Sequence, residues 1–296
     1  MLSKTLTALI LALLAAPASA ITIFACQPDW AALAKAHAPD ATIYSATTAF
    51  QDPHYIQARP SLISKMRKAD LVLCSGAELE IGWLPEIFRQ SRNGAAADPE
   101  RGLLYIAMLI PLLDKPAKVD RAMGDVHAHG NPHVQFAIDD MPLFSEKLAE
   151  RLVQLDPDNA AQYQKNGIVF RVKWGQKQRE WREKAAPLAG KQVVAYHATY
   201  RYLFEWLGIE QVADLEPKPG ISPTTSHLNT LTKLNTDDIY AIVYSTHQTS
   251  NAADWLGKKT GLPQLVLPQS VGGSERAQDL FTLIDDSIDK LLEPME

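Results

Sequence analysis

Past its first twenty residues, the 296-residue chain has no apolar run approaching the ~20 residues that a membrane-spanning helix needs. It has little positive charge to spare: 29 Lys and Arg stand against 34 Asp and Glu, for a net charge of −5, with no dense basic cluster. That removes the electrostatic footprint of a nucleic-acid binder. There are only two cysteines, Cys26 and Cys74, too far apart for a zinc finger. Neither a G-x-S-x-G elbow, a P-loop, a G-x-G-x-x-G turn nor H-E-x-x-H occurs, and Gly272-Gly273 lacks the third glycine of a phosphate cradle. A Ser/His/Asp triad needs no local motif, but nothing here singles out a nucleophile.

What remains is the composition of a globular protein, 46% hydrophobic and 21% charged, long enough for one large domain or two modest ones. Lys4, an apolar run over residues 6–16 and Ala18-Ser19-Ala20 have the form of a secretory signal peptide cut after Ala20. Ile23-Phe24-Ala25-Cys26 faintly resembles a lipobox, but residues 21–25 read better as a first β-strand. The mature protein is expected to be soluble and periplasmic, without stable membrane insertion. In an oxidising compartment two cysteines, each ending an apolar strand-like run, are expected to form a disulfide.

Short apolar runs alternate with amphipathic stretches, the pattern of parallel α/β sheets. Strands are expected at residues 21–25, 42–44, 71–73 and 103–106, then at 192–196, 212–215, 241–244 and 264–267. Helices are expected at 29–38, 61–69, 200–207, 226–234, 252–260 and 277–292. Between the halves Asp156-Pro157 opens a long polar helix, residues 158–186, on which Tyr163, Phe170, Trp174 and Trp181 share one face and pack along a lobe. The expected fold is α/β, with two lobes that are each a parallel sheet flanked by helices, joined by one long helix. The division is a leader over 1–20, an N-terminal lobe over 21–145, a linking region over 146–187 and a C-terminal lobe over 188–296.

Eight histidines carry the chemistry: 37, 54, 127, 129, 133, 197, 227 and 247. A metal site must draw on distant loops, so their places relative to strand ends matter. His54 lies in the loop after the second strand, and His197 immediately follows the fifth. Ligands collect beyond the carboxyl ends of strands in open parallel sheets, so these two qualify, one from each half. His133 sits in a turn-rich Gly130-Asn131-Pro132-His133 segment. His127 and His129 alternate with small residues in DVHAHG, a short tract able to hold metal loosely or simply a polar loop.

The blocks DPHYIQARPS, GNPHV, VVAYHATYRYLFEWLGIE and LEPKPGISPTTSHL fall in order over nearly the whole mature chain. They resemble the hallmark blocks of metal-specific periplasmic solute-binding proteins of ABC transporters, the zinc/manganese family or cluster A-I. The resemblance implies a non-catalytic protein, monomeric, that holds its ion in a cleft between lobes tied by a rigid helix and docks on a membrane permease. It implies His54, His133 and His197 as metal ligands, and His127 and His129 as the remnant of a longer His-rich loop. The chain departs from the pattern at the fourth ligand: where many members carry a carboxylate after the last strand, it has Pro268 and Gln269. His247, in YSTHQTSN, or a water is the expected replacement, and His227 is read as structural or near the cleft.

Imidazole ligands without an assured carboxylate favour Zn²⁺ over Mn²⁺, which prefers more oxygen. The expected function is therefore capture of Zn²⁺ and delivery to an ABC permease. The alternatives are transport of manganese or another divalent ion, a metallochaperone without a transporter, and a three-His zinc hydrolase.

Overall fold

All eight apolar runs form strands in the computed structural model, which describes residues 20–119 and 123–295; the expected leader lies outside them apart from Ala20. The first half runs β1 (Thr22–Ala25), α1 (Pro28–His37), β2 (Thr42–Ser45), α2 (Pro60–Met66), β3 (Leu71–Cys74), α3 (Leu84–Ser91) and β4 (Leu103–Tyr105). Its four parallel strands lie in the order β2-β1-β3-β4. Central β3 is buried throughout while edge β2 is only half-buried, which is why LVLC is uniformly apolar and TIYS is not. Proline in the first turn starts α1, α2 and α3, where its missing N–H costs no helical hydrogen bond.

The second half repeats the arrangement. It runs β5 (Gln192–Ala195), α6 (Arg201–Leu207), β6 (Glu210–Asp214), α7 (Thr225–Leu231), β7 (Ile239–Ser245), α8 (Asn251–Thr260), β8 (Gln264–Leu267) and α9 (Leu280–Leu292). The sheet order is β6-β5-β7-β8, again parallel. In both sheets the strand order reverses beside the first strand, so each has a crevice at the carboxyl ends of its central pair.

Two helices, α4 (Met141–Leu155) and α5 (Ala160–Ala185), connect the halves. The aromatic face of α5 is buried against both. Asn166 Nδ2 donates to the carbonyl of His37 on α1. Phe170 and Trp174 pack on Phe281 of α9, and Trp181 Nε1 donates to Asp285. The stripe thus packs against a helix of each half, α1 and α9. His37 is buried here too, hydrogen-bonded to the Leu33 carbonyl and the Ser145 hydroxyl; burial pushes its pKa down. Cys26, just past β1, and Cys74, the last residue of neighbouring β3, are joined by a disulfide. Among the described residues no helix is long and apolar enough to cross a membrane.

Candidate metal centre

Three histidines from three different segments meet where the two sheets face each other. His54 lies in the loop between β2 and α2, and His197 follows β5 by two residues. His133 opens a single 3₁₀ turn, Val134–Phe136, on the way to α4. One ring nitrogen from each of His54, His133 and His197 lies within 4.8 Å of the others, a set able to hold a metal ion. His133 Nε2 and His197 Nε2 are 3.4 Å apart. A tetrahedral ion with Zn–N bonds of about 2.0–2.1 Å needs neighbouring nitrogens roughly 3.3–3.4 Å apart. The cavity they share with Asp52, His247 and Gln269 measures about 440 Å³.

Carboxylates occupy the other side of two rings. Asp52 Oδ1 lies 2.7 Å from His54 Nδ1, and Glu216 Oε2 lies 2.8 Å from His197 Nδ1. An Nδ1–H donated to each acid leaves Nε2 unprotonated and turned inward, the tautomer a metal requires. Burial opposes ionisation of Asp52, but its hydrogen bond to His54 and the charge there hold the carboxyl down at about 2. At His197 burial disfavours the charged ring, yet the hydrogen bond and charge of Glu216 outweigh it and raise the pKa. His133 is the reverse case: burial, then the neighbouring histidines, push its pKa well down. Its main-chain N–H donates to Asn131 Oδ1, and Asn131 Nδ2 donates to the carbonyl of Ala198, so the NPH turn is fixed to the segment that carries His197.

The other histidines divide. His227 Nε2 bonds the carbonyl of Asp214 and its N–H is capped by Thr224, a structural role on α7. His247 follows β7, lines the cavity and meets the Ser245 hydroxyl at 3.0 Å; burial pushes its pKa down to about 4. His129 faces Glu78 at 3.7 Å and is half-exposed. His127 is closer to the centre than its loop suggests: its ring lies within 23° of the plane of His54, with the two Nε2 atoms 3.2 Å apart. Gln269, at the place of the missing carboxylate, spans the cleft, its Nε2 donating to the carbonyls of Ala49 and Gln51. Beside it Ser270 Oγ and the Val271 N–H donate to buried Asp29, whose carboxyl is pushed up to about 6 by burial. The segment after β8 therefore clasps the two halves together.

Sequence reasoning missed Asp52, Glu216 and Asn131 as partners of the histidines. The signal was present for two of them: Asp52 stands in the D-P-H block, and Asn131 two residues before His133 in N-P-H. Glu216 lies nineteen residues beyond His197 and reaches it only because β6 pairs with β5.

The family described as "ZnuA: Zinc-uptake complex component A periplasmic" matches residues 23–293. The high-affinity zinc uptake system protein ZnuA of Bacillus subtilis (strain 168) is 24% identical over 236 residues, covering 77% of this chain and 71% of its own. The manganese ABC transporter substrate-binding lipoprotein scaA of Streptococcus gordonii is 21% identical over 262 residues, 85% of this chain and 81% of its own. Among solved structures, a zinc-bound ZnuA deletion mutant superposes with a TM-score of 0.77 at 18% identity, over 92% of this chain and 96% of that one. A Mn-bound periplasmic metal binding protein from candidatus liberibacter asiaticus gives 0.73 at 18% identity, over 93% of this chain and all of the other.

Proposed function

Because the chain belongs to this family, the substrate-binding components of metal ABC transporters, we propose that its ion is Zn²⁺, held by His54, His133 and His197 between the lobes and passed to a permease. The family consists of transport binding proteins and not enzymes, and the chain is an extracytoplasmic binding protein for a divalent metal. The zinc reading rests on one observation: two carboxylates of the cavity, Asp52 and Glu216, are taken up by the outer nitrogens of His54 and His197. The converging atoms are therefore imidazole nitrogens, which suit zinc better than manganese. The division into lobes over 21–145 and 188–296, linked through 146–187, belongs to the same reading, with the mature chain a monomer in the periplasm.

Elemental analysis of protein isolated from the periplasm without added metal, followed by competition titration, tests the ion. Zinc should be recovered at one equivalent and outcompete Mn²⁺ by orders of magnitude; a manganese-loaded protein indifferent to zinc sinks the reading. Cu²⁺ binds such nitrogen sets more tightly still and serves as the calibrating competitor.

Affinity should also depend on pH with a definite sign. The raised pKa of His197 means that near and just above pH 6.5 this ring retains a proton that zinc must displace. In the metal-free fold that proton is stabilising below the unfolded pKa, and the contribution fades as pH rises through the raised folded value. Zinc affinity runs the other way, strengthening with pH across the same window as about one proton is released per ion. Glu216→Gln removes the cause. It should weaken zinc binding roughly 10- to 100-fold at neutral pH and flatten the pH profile, both readable by titration with a chelating indicator. An unchanged profile in that variant overturns the assigned role of Glu216.

A further inference from the structure

We infer that His127 is the fourth zinc ligand, carried on a strap that closes over the cleft and is clipped to both lobes. The inference rests on the three-histidine reading above and names the position that reading leaves open. The strap is the segment around Gly124–Gly130. On one side it lies against the C-terminal lobe: the Asp125 N–H donates to the Pro219 carbonyl at 2.9 Å. Gly124 adopts a left-handed φ of +79°, and a Cβ there would collide with the Pro219 carbonyl, so only glycine lets the two backbones approach. On the other side it is tied to the N-terminal lobe. Tyr55 donates to the Asp125 carboxylate, the Ala128 N–H donates to Glu78, and His129 faces the same acid.

His127 stands between these clips. Its Nε2 lies within 3.2 Å of His54 Nε2. Two imidazole nitrogens cannot face each other at that separation without a proton or an ion to share. The spacing matches the roughly 3.3 Å edge of a tetrahedral zinc site, like the His133–His197 pair. His127 stands at the rim of the trio, outside the set whose nitrogens are mutually within 4.8 Å. It takes the fourth position by turning its ring from His54 toward the ion.

A second feature, independent of the ring contact, is the shape of the N-terminal loop beneath the strap. Ala77 and Glu78 both have positive φ, +47° and +71°, a costly pairing for residues other than glycine. Buried Glu80 holds the loop in that form by accepting the N–H groups of Ser75 and Gly76. The second residue of the strained pair touches the strap: Glu78 accepts the N–H of Ala128, the residue after His127. His247 lines the same cavity, but among the described residues no hydrogen bond or ring contact joins it to the trio, and its Nδ1 meets the Ser245 hydroxyl.

The test counts ligands directly. Protein labelled with ¹⁵N in its histidine rings is loaded with zinc alone, and the metal-shifted imidazole nitrogens are counted by NMR. The variants His127→Ala, His247→Ala and His197→Ala are compared, each checked for an unchanged metal-free melting temperature. Four shifted nitrogens are expected, falling to three in His127→Ala with an affinity loss of at least about tenfold, and remaining four in His247→Ala. Three in both wild type and His127→Ala, with equal affinity, overturns the inference and leaves the trio standing. So does loss of a nitrogen in His247→Ala in place of His127→Ala. If His197→Ala keeps the full count and affinity, the three-histidine reading itself fails.

Discussion

His197→Ala is expected to weaken zinc binding by at least about 100-fold, more than the loss of a partner behind a ligand typically costs. The variant removes one nitrogen of the trio and takes the ring partner from Glu216 Oε2, which also accepts the Gly220 N–H. The same change should erase most of the heat stabilisation that zinc confers. At a zinc concentration 100 times Kd, binding stabilises the fold by about 2.7 kcal/mol; a 100-fold weaker site at the same concentration leaves about 0.4. For a protein of this size the difference corresponds to several degrees in melting temperature. His37→Ala is the control that separates function from folding. His37 is buried in the packing of α1, α4 and α5 and points at no part of the cleft. Its removal should lower the metal-free melting temperature and leave Kd unchanged. An unaltered zinc Kd in His197→Ala would remove the basis of the site.

The contrast between these two histidines shows what a sequence discloses and what it withholds. The strands were legible because each is a short apolar run bounded by polar turns, and the parallel order followed from their alternation with helices. His54 and His197 were legible because strand ends are where parallel sheets bind ligands. α3 and α4 escaped, although Met141, Phe144, Leu148 and Leu152 sit at helical spacing and are buried. The fourth position resisted for a different reason. A candidate judged by its distance from a strand end favours His247. His127 reaches His54 only because the strap is pinned between Pro219 and Glu78, a tertiary fact with no local signature. Gln269 teaches the same lesson: it stands where a ligand was expected, and its side chain is spent on bridging the halves.

Removing the disulfide, by Cys26→Ala with Cys74→Ala, should be strongly destabilising while leaving the metal ligands untouched. The bridge joins residues 48 apart in sequence, across neighbouring parallel strands whose Cα atoms are 4.8 Å apart. In the chain-entropy account a closed loop of that length restrains the unfolded chain by about 4 kcal/mol, within the 2–5 kcal/mol usually lost when a native bridge is removed. Both cysteines are wholly buried, so alanine is the better replacement; serine would add two hydroxyls in need of partners. The effect on zinc should be far smaller. The Cys26 N–H still donates to the Leu73 carbonyl, and Gln27 still donates to Glu80, so the loop that supports Ala77 and Glu78 keeps its hydrogen bonds without the bridge. Urea unfolding of the metal-free double variant should therefore show a midpoint well below wild type, while zinc Kd moves by only a few-fold. Wild type in excess reductant should follow the variant's unfolding curve. A loss under about 1 kcal/mol, or two titratable thiols in unreduced, denatured wild type, would show that the lobe does not depend on this bond. A collapse of zinc binding alongside stability would show instead that the loop beneath the strap is held by the disulfide and not by Glu80.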